Sequence, residues 1–206
     1  MTGRKRVRLP ANVRARRILE AALAEFSRLG FAGTRIEDIG RGAGLSKSGV
    51  YAHYPSKEAI FEALLGQALA PVDVVPFDKG DSVADFVDRF LEQTYSRLAE
   101  PASQAMLRLL LAEAGRVPEL VRRWHRDLVE PFHRRQAAIL RAAAARGQVV
   151  AAAAECFEVA YSPVLQWALS PILSGADASP RLPPPERLAA HRRMLLALLS
   201  APVTPG

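Results

Sequence analysis

The run Ser46-Lys47-Ser48-Gly49-Val50-Tyr51-Ala52-His53 gathers two hydroxyls, an ammonium, a phenol and an imidazole around one large aliphatic side chain. These are hydrogen-bond donors and acceptors, not an assembled nucleophile and base. Elsewhere, no serine lies in a G-x-S-x-G turn or beside an evident base and orienting group. The four histidines are His53, His125, His133 and His191. Glu130 and His133 have the E-x-x-H spacing that places two metal ligands on one helical face, but such bundle sites need a second copy and the chain has none. Cys156 is the single cysteine, so it has no resolving partner for redox work. The chemistry expected is therefore non-covalent recognition, with no enzyme activity, no metal and no cofactor.

The elements that must position this run are short helices. Thr34 and Glu37 have the T-x-x-E spacing of a capping box, which predicts a helix start there. Ile36, Ile39 and Ala43 then give it one apolar face. Gly44 can take the left-handed conformation that ends a helix, and Ser46 can cap the next one. Val50 is the inward anchor of that second helix, Pro55 ends it, and Ser56 caps a third. A helix carrying so little apolar surface gains little from burial alone. Its outward groups suit base edges and phosphates, because a major groove about 12 Å wide admits one helix. The alternative is a helical hairpin that only packs against its neighbours.

Charge separates these alternatives. Residues 1–60 hold 12 Lys+Arg against 5 Asp+Glu, whereas residues 61–206 hold 16 against 16. All the net +7 thus belongs to the end carrying the two short helices. A polyanion explains that placement, since each neutralised phosphate releases counterions. Attachment to anionic lipid would instead want a basic amphipathic helix with an exposed apolar face. The other figures, 206 residues with 50% hydrophobic and 24% charged, describe an ordinary folded chain. Without a secretory leader or an uninterrupted apolar span, and with one cysteine, a soluble cytoplasmic protein is expected, with no membrane partner.

Taken in order, residues 1–11 form a basic arm with Arg4, Lys5, Arg6 and Arg8 and no periodicity. Helical spacing of Val13, Ile18, Ala22, Phe26 and Leu29 predicts a helix from Asn12 to Leu29 that Gly30 ends, with Phe31 folding back as a plug. The helix begun at Ser56 runs to Leu69 and links two halves. After a loop, Ser82 and Asp85 repeat the capping spacing before an amphipathic helix ending at Pro101. Residues 102–114 are apolar enough to be a central helix. Pro118 opens a long helix that Pro131 should bend, and a helix from Glu155 to Leu173 should kink near Tyr161 because Pro163 removes a hydrogen bond. Pro185 or Glu186 starts the last one. The expected fold is all-α, with about nine helices.

The larger half also offers material for a small-molecule pocket. Met106, Trp124, Phe132, Phe157, Tyr161 and Trp167 come from four predicted helices, with His125 and Gln166 as scarce polar groups to orient a small apolar or aromatic effector. Aromatic side chains at helical spacing are equally the stuff of plain core.

The positions Asp38-Ile39, Ala43-Gly44-Leu45-Ser46, Tyr51, His53-Tyr54 and Ser56-Lys57-Glu58, preceded by Arg17 to Ala22, Phe26, Gly30-Phe31 and Thr34, resemble the signature of the tetracycline-repressor (TetR) family of bacterial transcription regulators. The match spans residues 13–65, and departs where Gly40 replaces the usual alanine and Tyr54 the usual phenylalanine. Gly40 should loosen its helix by up to about 1 kcal/mol. A looser likeness to a C-terminal subgroup lies in Leu109-Leu110-Leu111-Ala112-Glu113-Ala114-Gly115 and Pro118-Glu119-Leu120.

The resemblance implies an N-terminal three-helix helix-turn-helix DNA-binding domain at 12–56 and a C-terminal helical ligand-binding and dimerisation bundle at 57–206. It also implies pairing of the last two helices with their copies in a homodimer. The function expected is a ligand-responsive repressor on a palindromic double-stranded DNA operator; the alternative is a DNA-binding protein without small-molecule input. On that footing Ser46, Lys47, Ser48 and Gly49 lie nearest the bases. Tyr51, His53 and Lys57, with Thr34 and Arg35, hold phosphates.

Overall fold

A computed structural model describes residues 10–70, 73–175 and 182–200. The basic residues Arg4, Lys5, Arg6 and Arg8 of the expected arm lie outside the described residues, as do Pro71 and most of the loop before the last helix. All regular structure among the described residues is helical. Eleven α-helices are present, α1 (Ala11–Gly33), α2 (Ile36–Ala43), α3 (Lys47–Tyr51), α4 (Lys57–Ala68), α5 (Val83–Ala99), α6 (Pro101–Glu113), α7 (Pro118–Trp124), α8 (Glu130–Ala145), α9 (Ala151–Cys156), α10 (Ser162–Leu173) and α11 (Pro185–Leu199). A π-helical turn, His125–Val129, joins α7 to α8, and a 3-10 turn, Phe157–Tyr161, joins α9 to α10. Counting each joined pair once leaves nine rods, as expected.

The N-terminal head is small, and its core is correspondingly concentrated. Ile18, Ala22 and Phe26 of α1 meet Ile36 and Ile39 of α2 and Val50 of α3, all buried. Phe26, Phe31 and Phe61 form a triangle with ring centres 5.6, 5.7 and 5.3 Å apart, so Phe31 does fold back as a plug. Gly30 breaks α1 at φ 71° as expected, although a short helical tail resumes to Gly33. Ile60 and Phe61 belong to this core while Leu64, Leu65 and Ala68 of the same helix face the body. The buried residues therefore form one continuous cluster, which the division after residue 56 cuts through.

In the body, α6 is central and packs on α1, α4, α5 and α10. Its neighbour α5 begins with a complete capping box, in which Ser82 Oγ accepts from Asp85 N at 3.1 Å and the Asp85 carboxylate accepts from Ser82 N. The two prolines that were expected to bend helices behave differently. Pro131 is preceded by the π-turn, which widens the helix where its missing N–H and its ring would otherwise clash. Pro163 sits in the first turn of α10, where no intrahelical donor is needed, so the kink near Tyr161 comes without the loss of a helical bond.

A buried polar chain ties three of these elements. His191 of α11 is 3% exposed, its Nε2–H donates to Ala160 O at 3.0 Å, and its Nδ1 accepts from the Tyr95 hydroxyl at 3.1 Å. Burial holds its imidazole below the ordinary 6.5, the bond to Ala160 opposing that only in part. His133 is lowered too, again through burial first. Both groups bind protons more readily in the unfolded chain. Stability is therefore undiminished above the ordinary histidine range and is lost as pH falls below it, by up to about 1.4 kcal/mol per pH unit for His191 and by less for the part-exposed His133, whose charge water screens. Urea unfolding between about pH 7.5 and 5.5 should show that decline. His191→Phe should be less stable at the higher pH yet show a shallower slope; an unchanged slope would remove His191 from the account.

Candidate DNA interface and effector cavity

The turn between α2 and α3 is built from local chemistry. Gly44 takes φ 69°, which lets Leu45 N donate to Gly40 O at 2.8 Å and Gly44 N to Arg41 O at 3.2 Å, closing α2. Ser46 Oγ accepts from Gly49 N at 3.1 Å and lies 3.0 Å from Ser48 Oγ. Val50, fully buried, turns the opposite face of α3 outward. Gly40 is here a requirement of the turn, since a Cβ there would stand 2.9 Å from the Leu45 carbonyl oxygen. That outweighs the modest loosening expected from glycine within a helix.

Ser46, Lys47, Ser48, Tyr51 and Arg35 are exposed, and Gly49 and His53 are half-buried beside them. Lys47 is not free: its Nζ lies 2.8 Å from Glu37 Oε1 and 6.0 Å from the centre of the Tyr51 ring. The hydrogen bond raises the Lys47 pKa and lowers that of Glu37. Both partners are about half exposed, so water screens the pair and the ammonium can exchange its carboxylate for another anion at small cost.

Two expected phosphate contacts are placed elsewhere. Thr34 is 2% exposed, and its hydroxyl hydrogen is shared between Gly30 O at 2.8 Å and Glu25 O at 3.1 Å. No capping box forms with Glu37, because Arg35 occupies the N-cap without a side-chain bond. The hydroxyl serves the unpaired carbonyls at the end of α1 instead. Lys57 is committed as well. Its Nζ donates to Phe31 O at 2.6 Å, Thr34 O at 3.0 Å and Ala32 O at 3.3 Å, and stands 4.6 Å from the Phe31 ring centre. An ammonium has three hydrogens, and all three are used.

A cavity of about 240 Å³ opens in the body. The last residues around α4, Ala68, Leu69 and Ala70, form one wall; Thr94, Arg97 and Leu98 of α5 form another; Trp124, Val129, Phe132 and His133 form a third. Glu158, Tyr161 and Leu165 close it. Its polar groups are few. Trp124 Nε1 is buried without a hydrogen-bond partner among the described residues, and burial pushes the Tyr161 phenol far up, keeping it neutral. His133 Nδ1 stands 3.9 Å from Glu158 Oε2 at the rim.

Of the expected pocket residues, Trp124, Phe132 and Tyr161 line this cavity. The others do not. Met106 is fully buried in the core, Trp167 packs edge-on against Tyr95, and Phe157 sits behind the wall against Phe86 and Phe90. His125 is on the surface 3.4 Å from Glu130, and Gln166 is exposed on α10. Leu69, Leu98, Thr94 and His133 were not anticipated; apolar and hydroxyl side chains at helix ends carry no chemical mark in a sequence. Nor does His133 find metal-binding company, since no group of three or more His, Cys, Asp or Glu able to hold an ion exists among the described residues.

Comparison with known proteins agrees with this architecture. A model of bacterial regulatory proteins of the tetR family matches residues 18–64, and one of a tetracyclin repressor-like C-terminal domain matches residues 76–179. The HTH-type transcriptional regulator RutR of Escherichia coli K12 is 46% identical over 68 residues, 33% of this chain and 31% of RutR. The HTH-type transcriptional repressor SCO4008 of Streptomyces coelicolor is 37% identical over 98 residues, 47% of each chain. The matches thus span less than half the length of these curated relatives. In fold, the chain is similar to a TetR family transcriptional regulator from Pseudomonas syringae (TM-score 0.69, 24% identity, 94% of this chain and 100% of that one). It is likewise similar to Salmonella enterica GusR (TM-score 0.66, 24% identity, 95% and 99%). With both halves matched in sequence, and the turn between α2 and α3 and the helical body in place, the chain belongs to the TetR family of bacterial regulatory proteins.

Proposed function

We propose that this protein is a ligand-responsive transcriptional repressor that binds a palindromic DNA operator as a homodimer. The observation that carries this reading is that one helix serves both sites: α4 is pinned to the head at Lys57 and forms a wall of the cavity at Ala68. A ligand in the cavity therefore presses on an element fastened to the end of α1, in the same head that carries α3. Ser46, Lys47, Ser48 and Gly49 are the base-facing set, with Arg35, Tyr51 and His53 toward phosphates. The cavity wants a small apolar or aromatic molecule, with a single acceptor for Trp124 Nε1. That no helix among the described residues is long and apolar enough to cross a membrane agrees with cytoplasmic work on DNA.

Dimerisation has its own support. Leu165 and Leu173 of α10, Leu182 before α11, and Met194 of α11 are 45, 76, 59 and 41% exposed, large apolar side chains on the last two helices left uncovered among the described residues. One short recognition helix reads few base pairs, while two copies about 34 Å apart read both halves of a palindrome.

Selection of bound sites from random duplexes should return an inverted repeat, and a single unspecific mode in physiological salt would exclude the proposal. Lys47→Ala should change which bases are preferred, costing about tenfold on the selected site and less on random DNA. Lys57→Met should leave the salt slope unchanged but destabilise the head by about 1–3 kcal/mol, read as a fall in the unfolding midpoint. A salt slope shallower by about one unit would instead return Lys57 to the phosphates. Leu98→Trp, which fills the cavity, should keep operator affinity while abolishing release by any compound that frees the wild-type protein from its operator.

A further inference from the structure

Glu37 is left without the task that its spacing from Thr34 suggests. No cap forms between them, and the Glu37 carboxylate turns instead to α3, where its Oε1 stands 2.8 Å from Lys47 Nζ. Asp38 holds Arg41 in the same way at 3.0 Å, and Lys57 is spent on three carbonyls. Three of the four Lys and Arg between Thr34 and Lys57 are therefore already engaged. The excess charge lies earlier in the chain: residues 1–33 hold 8 Lys+Arg against 2 Asp+Glu, whereas residues 34–57 hold 4 against 2. General attraction for a polyanion thus belongs mainly to the first stretch, and the stretch that carries α2 and α3 is nearly balanced.

We propose that Glu37 is a positioning residue for sequence recognition: it keeps one hydrogen of the Lys47 ammonium, so that the other two meet N7 and O6 of a guanine in preference to a phosphate. This rests on the base-facing place proposed for Lys47. An ammonium has three hydrogens, and guanine offers two adjacent acceptors in the major groove. Lys47 is the first residue of α3, and the start of a recognition helix is the part that reaches base edges while the preceding helix crosses the backbone. Glu37, in the first turn of α2, then lies toward the backbone. A phosphate can draw Lys47 away only by leaving that carboxylate bare beside a polyanion. A guanine need not, because both its acceptors are met with the carboxylate still in place. The pair is half exposed and weak, so it does not lock Lys47; it selects between the partners that Lys47 can take.

The test is binding of the full-length protein to the duplex recovered by site selection and to a random duplex of equal length, across a range of salt. Glu37→Gln keeps the size of an exposed side chain and removes its charge. On random DNA it should tighten binding and steepen the salt slope by about one unit, the mark of one more ammonium at a phosphate. The ratio of operator to random affinity should fall by about tenfold, and selection repeated with the variant should lose the guanine that Lys47→Ala also loses. In a Lys47→Ala background, Glu37→Gln should alter neither the slope nor the base preference. Glu37→Asp, which keeps a carboxylate, should retain most of the ratio. A carboxylate that merely repels DNA would instead give equal tightening on both duplexes with the base preference intact, and that result overturns the assignment, as does an unchanged slope. The slope on random DNA is read without any operator, so this inference and the palindromic repressor reading fail separately.

Discussion

The grip of the Lys57 ammonium on the carbonyls of Phe31, Ala32 and Thr34 is the constraint from which the working of this molecule follows. Those oxygens belong to the frayed end of α1, where helical partners run out and the macrodipole leaves partial negative charge. Thr34 supplies a hydroxyl to the same region, and Phe31 lays its ring beneath the ammonium. Because Ile60 and Phe61 complete the head's core immediately downstream, the first half of α4 is fastened to the head by charge on one side and apolar packing on the other. Head and α4 must then move together.

The cavity at the other end of α4 follows from two interrupted helices. Regular α-helices with wide apolar faces would fill the space between α5 and α8. Instead the π-turn before Pro131 and the 3-10 turn before Pro163 displace Val129, Phe132, Glu158 and Tyr161 from where a continuous helix would put them. The lost packing is offset elsewhere. Gln136 binds Val75 N at 2.9 Å and Val75 O at 3.1 Å through its two amide ends, holding the loop after α4 against α8 with no buried amide atom left over. The Tyr95–His191–Ala160 chain similarly anchors the 3-10 turn to α5 and α11.

Legibility in the sequence depended on whether a residue's role was settled by its immediate neighbours. Ser46, Ser56 and Ser82 could be read as caps because a hydroxyl three residues before a free amide has a short, local choice of partner. Thr34 has the same spacing to Glu37 yet fails, because carbonyls of α1 compete for its hydroxyl from up to nine residues back. Lys57 is the same case at longer range. Gly40 resembled a defect until the Leu45 carbonyl was seen to need its missing side chain. In the body, helices and breaks were legible from periodicity and proline. Which aromatic faces the cavity was not, since Met106 and Trp167 have the same periodicity as Trp124 and Phe132 and differ only in which neighbouring helix meets them.

If α4 is a rod linking ligand to operator, its length determines how much motion suffices. Twelve residues make a rod of about 18 Å, so a tilt of about 5° about its cavity end shifts its first turn by about 1.5 Å. The two heads of a dimer moving oppositely would change their separation by about 3 Å, close to the 3.4 Å rise of one base pair. A displacement of that size takes both recognition helices out of register with their half-sites while leaving each head intact. The ligand need only favour one setting of the rod: a hundredfold preference is about 2.7 kcal/mol, within reach of burying a few more methylene groups against Leu69 and Leu98. The rod is gripped at both ends: Lys57 holds the head with three hydrogen bonds beside a triangle of phenylalanines, while at the cavity end Ser103 Oγ of α6 donates to Ala68 O at 2.8 Å and Arg97 of α5 donates to Gln67 O. A ligand that shifts α5, which walls the cavity, therefore carries the end of α4 with it, and the motion is not absorbed in a loose joint.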